Sequence, residues 1–306
     1  MIELSDEVAR ALATGDPVVA LESSLICHGL PPPENATVGM AVEAAVRETG
    51  AVPATTAVID GRARAGLSER ELRRLAETPQ VAKCSTRDLP LLIAQGSLGG
   101  TTVAATAHLA ASLGIGVMAT GGLGGVHRGG EVSMDVSADL EQVARSSLAV
   151  VCSGFKSILD LERTLERLET LGVPVVGYRC SELPGFYTAE TGLPVPRIDD
   201  LGALCRLIQA QRQLRLPGGL VVAQPPPAES AMRRDTLDRL VGSAMEVAAQ
   251  AGVRGPQETP FLLRRMAELS AGATVRLNRE LVIANARLAG QLAVALSQAG
   301  AQPQSS

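Results

Sequence analysis

Short β-branched runs alternate with amphipathic helical stretches over the first two thirds of the chain, which predicts an α/β fold on parallel strands. Two further observations shape that prediction. The helical stretches have the length of crossovers between parallel strands. Past Pro225-Pro226-Pro227 the pattern changes, and the remainder reads as helix. At 306 residues, 46% hydrophobic and 20% charged, the chain has the size and composition of one α/β domain, 1–306, with a helical C-terminal portion at about 228–300.

The elements follow in order. Pro17–Leu21 reads as a strand and Ala36–Thr49 as a helix that stops at Gly50. Thr55–Asp60 is a strand, Glu69–Glu77 a helix and Val81–Lys83 a short strand. Thr102–Leu113 fits a helix, Gly116–Thr120 a strand, Leu140–Arg145 a short helix and Leu148–Cys152 a strand. In Ser157–Leu171 the residues Ile158, Leu161, Leu165, Leu168 and Leu171 form one apolar stripe at helical spacing. Val175–Tyr178 and Gly219–Ala223 complete the strands. Leu237–Gln250, Pro260–Ala271 and Val275–Leu296 are helical, and a frayed tail is expected over Ala301–Ser306.

Composition excludes several classes. A net charge of −4 favours neither nucleic acid nor an anionic membrane as partner. Met1–Pro17 lacks the basic segment and apolar run of a signal peptide, and no apolar stretch approaches the roughly 20 residues of a membrane span, so a cytoplasmic location is expected. Cys27, Cys84, Cys152, Cys180 and Cys205 are dispersed and odd in number, which reads as reduced thiols. Of 28 basic residues only Lys83 and Lys156 are lysine. A base-composition bias explains that scarcity, but not where the two remain. An ammonium can lose its proton when buried and can form a Schiff base; a guanidinium does neither.

In parallel α/β sheets ligands collect beyond the carboxyl ends of the strands. Glu22, Lys83, Thr120 and Lys156 each fall at or just after such an end. The stretch Gly121–Gly130 fails the dinucleotide fingerprint, since the third glycine position is His127. It is either an oxyanion cradle of backbone amides or a plain loop. Gly99–Val103 opens a helix, where amides can hold phosphate or Thr101 or Thr102 can cap. Asp135-Val136-Ser137-Ala138-Asp139 starts like a calcium loop but lacks its glycine and its glutamate. Asp139 therefore either caps the next helix, with Gln142 completing a capping box, or joins a site in which one carboxylate plus waters holds Mg2+ or Mn2+. His28, His108 and His127 have no zinc spacing; His108 reads as structural, and His28 and His127 lie in polar loops within reach of a substrate.

Taken together these segments resemble the pseudouridine-5′-phosphate glycosidases, a family related to the indigoidine synthase A-like proteins. The resemblance rests on Leu21-Glu22-Ser23-Ser24 with His28-Gly29-Leu30-Pro31, on Pro53-Ala54-Thr55 with Asp60-Gly61, and on Lys83 to Leu89. It continues through Gly100 to Ala104, Ala119 to Gly129, Asp135 to Leu140, Gly154 to Asp160 and Gly172 to Tyr178, with a looser match at Asn278 to Ala286. Ser24 and Cys27 are departures, conservative in size. The resemblance implies a three-layer α/β/α fold, a homotrimer, and reversible cleavage of the C–C bond between uracil and ribose 5-phosphate. It implies Lys156 as nucleophile, Glu22 as proton donor, Lys83 as a substrate anchor and Val103 as a backbone contact. It further implies Asp135 as a Mn2+ ligand and Ser137, Ala138 and Asp139 as substrate contacts.

Those roles fit the chemistry. A bond from carbon to uracil offers no oxygen or nitrogen leaving atom of the ordinary glycosidase kind. Opening the ribose lets an amine add at C1′ and pass through an imine. Glu22 must be protonated to donate to the ring oxygen, so a raised pKa is expected. Lys156 must attack as the neutral amine, whereas Lys83 works best charged against a phosphate. A Schiff-base aldolase or lyase on another sugar phosphate shares Lys156 but not a uracil pocket. A non-catalytic sugar-phosphate or nucleotide sensor shares only the fold. Asn278 or Asn285 is the candidate reader of uracil.

Overall fold

A computed structural model of the chain describes residues 2–253, 255 and 258–301. Six strands form the centre of the sheet: Val18–Leu21 (β1), Val52–Ile59 (β2), Val117–Ala119 (β3), Ala149–Cys152 (β4), Val175–Tyr178 (β5) and Leu220–Ala223 (β6). They lie in the order β2-β1-β3-β4-β6-β5, every neighbouring pair parallel. β1, β3, β4 and β6 are buried along their whole length, as expected of strands covered on both faces.

Helices Glu34–Arg47, Leu201–Gln213 and Ala273–Ala301 pack together as one layer, and the last lies on β1, β3 and β4. Helices Val103–Ser112, Ala138–Arg145 and Leu161–Thr170 form the other layer. The fold is therefore the three-layer α/β/α arrangement, with its main core running from Val8 through Ala293. Arg234–Gln250, Glu258–Leu269 and Ala273–Ala301 make the C-terminal part helical. Residues 302–306 of the expected frayed tail lie outside the described residues, and Ala301 closes the last helix.

Several elements go beyond the sequence expectation. Arg62–Ala65 pairs antiparallel with β2 across Asp60-Gly61, both at positive φ (51° and 73°), the backbone that a tight Asp-Gly hairpin requires. Helix Asp6–Thr14 is capped by Ser5, and Leu201–Gln213 by Asp200. Gly99–Thr101, expected to open a helix, is instead a strand between β2 and Ala82–Cys84. Its glycines have no room for a side chain: a Cβ on Gly100 would lie 2.7 Å from the Cys27 sulfur. The helix starts only at Val103, capped by the Thr102 hydroxyl. The helix expected from Ser157 starts at Leu161, capped by Asp160, because Leu159–Asp160 pairs with Val126–His127. Lys156 thus lies ahead of the helix rather than at its positive end. Among the described residues no helix is long and apolar enough to cross a membrane.

Candidate active site

Register brings the carboxyl ends of the strands together. Leu21 of β1 pairs with Ala119 of β3, and Ala119 with Val151 of β4. The next residue on each of the first two is Glu22 and Thr120, and the Thr120 hydroxyl bonds one carboxylate oxygen of Glu22. The Ser24 hydroxyl bonds the other. Past β4, Gly154 adopts φ 79°, and a Cβ there would lie 1.9 Å from the Pro184 carbonyl oxygen, so only glycine fits the turn that delivers Lys156. The Lys156 backbone N–H is held by the Leu123 carbonyl (3.1 Å), and its Nζ donates to the Gly122 carbonyl (2.9 Å).

A cleft of about 920 Å³, within the range of small-molecule sites, opens over this edge. Glu22, Lys83, Val103, Asp135, Ser137, Ala138, Asp139 and Lys156 all line it, although five separate stretches of chain supply them. Burial raises the Glu22 pKa, against the pull of the Lys156 charge and of the two hydroxyls; that is the direction a proton donor needs. Lys83 stands at the cleft with much of its surface open, yet partial burial and the nearby Lys156 charge lower its pKa. This departs from the expectation of a fully charged anchor. Asp139, Glu22 and Asp135 push it back upward, and an arriving phosphate acts in the same sense.

Asp139 is buried, and both its oxygens are taken by backbone: Oδ1 accepts from Ala104 N–H and Oδ2 from Gly124 N–H, each at 2.9 Å. It is not the expected helix cap. That cap is Ser137, whose hydroxyl accepts from Asp139 N–H, while Gln142 turns to Ser146 rather than closing a capping box. The glycine loop is structural in the same way. Leu123 N–H bonds Gly154, Gly124 N–H bonds Asp139 and Val126 N–H bonds the Thr164 hydroxyl. A Cβ on Gly124 would sit 2.3 Å from the Ser137 hydroxyl. The glycines allow close packing, and these three amides are committed to partners inside the protein.

The three histidines separate. His108 is exposed on its helix. His28, in the π-turn Leu25–Gly29, lines the cleft with its Nε2 buried and unpartnered, and burial followed by the Lys83 charge lowers its pKa. His127 lines the cleft beside Asp135, and with Glu258 they place one ligand atom each within 4.8 Å of one another. Glu258 had no signal in the sequence. Nor did Phe186, which lines the cleft against Gly122. The two asparagines divide as well: Asn278 lines the cleft with its Oδ1 buried and unpartnered, whereas Asn285 is wholly buried and donates to the Thr120 carbonyl at 3.0 Å. Burial pushes the Cys27 and Cys152 thiols up to about 12, which leaves neither suited to act as a nucleophile.

A family model described as indigoidine synthase A-like protein matches residues 7–295. The chain belongs to the indigoidine synthase A-like family. A pseudouridine-5′-phosphate glycosidase of Caldanaerobacter subterraneus subsp. tengcongensis is 47% identical over 97% of both chains. One of Symbiobacterium thermophilum is 48% identical over 97% of this chain and 98% of its own. Among solved structures, the prealnumycin C-glycosynthase AlnA in complex with ribulose 5-phosphate superposes with a TM-score of 0.91 at 40% identity, covering 99% of each chain. An indigoidine synthase A-like protein of Thermotoga maritima superposes at 0.89 with 36% identity over 97% of each.

Proposed function

We propose that the protein is a pseudouridine-5′-phosphate glycosidase, reversibly splitting its substrate into uracil and ribose 5-phosphate. The observation that carries the site assignment is the convergence of a lysine, Lys156, and a carboxyl with raised pKa, Glu22, on one cleft, with a second lysine, Lys83, at its wall. Relatives of that name at 47–48% identity over nearly the full chain support the substrate.

In this reading Lys83 faces the phosphate, with Val103 and the Ser137–Asp139 turn beside it. Glu22 gives its proton to the ribose ring oxygen as the C1′–oxygen bond opens, and the Lys156 amine adds at C1′. The added nitrogen gives up a proton, and its lone pair then forms the imine as the C1′–uracil bond breaks; uracil leaves with the bonding pair and takes up that proton on carbon. Water releases ribose 5-phosphate and restores the amine. Ser24 and Thr120 orient the Glu22 carboxyl. Asn278 and Phe186 meet the uracil, the amide at its polar edge and the ring at its face. Asp135, with His127 and Glu258 close by, forms a donor set of carboxylate and imidazole that suits Mn2+, which would supply a positive, Lewis-acidic centre beside the substrate. A homotrimeric, cytoplasmic enzyme completes the proposal; the family resemblance supports the trimer.

Incubation with pseudouridine 5′-phosphate and Mn2+ should release free uracil, and Lys156→Ala should abolish it. Borohydride added to protein and ribose 5-phosphate should fix one sugar-phosphate mass on Lys156. Label without uracil release would favour an aldolase or lyase on another sugar phosphate. Binding with neither would favour a sensor.

A further inference from the structure

Two strands use neighbouring stretches of β2. β1 pairs with Val52–Thr55 and Gly99–Thr101 with Ala57 and Val58, which leaves Thr56 at the junction. Past Leu21 the ladder between β1 and β2 ends, and the Ser23 side chain takes its place. Its hydroxyl donates to the Thr56 carbonyl (2.6 Å) and accepts from the Thr101 N–H (2.9 Å). The Thr101 hydroxyl donates to the same carbonyl, also at 2.6 Å. Ser23, Thr56 and Thr101 are buried. Gly100 permits the approach, since a Cβ there would lie 3.3 Å from the Ser23 carbonyl oxygen as well as against Cys27.

The junction joins segments with different tasks. Glu22 immediately precedes Ser23, and Thr101 immediately precedes Thr102 and Val103. The Thr101 strand also pairs with Ala82–Cys84, which sets Lys83 opposite Gly100. On its other side the Ser23 carbonyl accepts from Ile26 N–H (3.0 Å) and Cys27 N–H (3.1 Å), opening the turn that follows Ser24. Removing the Ser23 hydroxyl leaves a buried N–H without that partner and frees the backbone beside Glu22 to shift.

We propose that Ser23 is a positioning residue of the reaction: its hydroxyl sets the Glu22 carboxyl at a fixed reach from Lys83 and Val103. A sugar phosphate held at those anchors then presents its ring oxygen to the proton donor. Misplacing a catalytic group by about 1 Å can cost on the order of 100-fold in rate. The inference rests on the reading of Glu22 as proton donor and Lys83 as anchor.

The test uses ribose 5-phosphate with borohydride, and follows the rate at which label forms on Lys156. Ser23→Ala should slow labelling at saturating sugar phosphate roughly 10-fold or more. The half-saturating concentration should stay within about 2-fold, because the anchors keep their own strand pairing. Thr106→Val removes another hydroxyl of the same buried cluster, 3.1 Å from the Thr101 hydroxyl, and leaves the Ser23 bonds in place. It should lose thermal stability and keep the labelling rate. Equal slowing in both variants, or none in Ser23→Ala, overturns the proposal. Should Ser23→Ala fold poorly, Ser23→Cys replaces it, since a thiol fills the space but bonds weakly. Crystal structures of parent and variant give a readout independent of activity: the Glu22 carboxyl should move relative to Val103. An unmoved carboxyl overturns the proposal even if the protein releases no uracil, whereas absence of uracil release from the parent counts against the proposed function alone.

Discussion

Glu22 and Asp139 are both acidic residues lining the cleft, and their surroundings assign them opposite tasks. Glu22 accepts from two hydroxyls and is raised in pKa by burial, the direction that a proton donor needs. Uracil release should therefore fall as pH rises through that raised value, and Glu22→Gln should lose at least about 100-fold in kcat. Stability follows the same linkage. A carboxyl whose folded pKa lies above its unfolded one stabilises fully below the unfolded value, and that contribution disappears as pH rises through the folded one. Glu22→Gln should consequently gain over the parent in urea unfolding as pH goes from 5 to 8; an unchanged gap would contradict the raised pKa. Asp139 accepts two backbone N–H groups and serves position instead. Asp139→Asn turns one acceptor toward an amide hydrogen, and should cost about 1–3 kcal/mol in urea unfolding and loosen the glycine loop.

At the scale of elements, the turns after β1, β3 and β4 decide the chemistry. Gly154 combines positive φ with a contact that leaves no space for Cβ. Gly154→Ala should cost at least about 2 kcal/mol by thermal unfolding and should lower kcat more than KM, because Lys156 is displaced while Lys83 is not. Most elements were legible in advance: Glu69–Glu77 and Val175–Tyr178 form where the sequence places them, and the capping box of Ser68 and Glu71 starts the former. The helices Asp6–Thr14 and Leu201–Gln213 also carry legible caps, Ser5 and Asp200, that sequence reading passed over. The start of Leu161–Thr170 was not legible. Its apolar stripe extends back to Ile158, and only pairing of Leu159–Asp160 with another strand shows that those residues are extended.

Across the whole molecule, the last helix joins the layers to the site. Leu277, Leu281, Val282, Leu288 and Leu292 are buried against the sheet and neighbouring helices, and Asn285 reaches the Thr120 and Gly121 carbonyls beneath the cleft. Burying five such side chains is worth roughly 8–15 kcal/mol, comparable with the whole net stability of a domain of about 5–15 kcal/mol. A chain ending at residue 272 should therefore fail to fold, read as loss of cooperative unfolding in circular dichroism. The α/β class, the strand ends and the importance of the two lysines could be read from the sequence, because periodicity, punctuation and residue scarcity are local properties. The family motifs likewise named eight residues that share one cleft. Tertiary structure alone decided that Asp139 braces backbone, that Asn278 and not Asn285 faces the cleft, and that Glu258 meets His127 and Asp135. Each of those outcomes depends on which distant segments are brought within a few ångströms, and no local pattern encodes that distance.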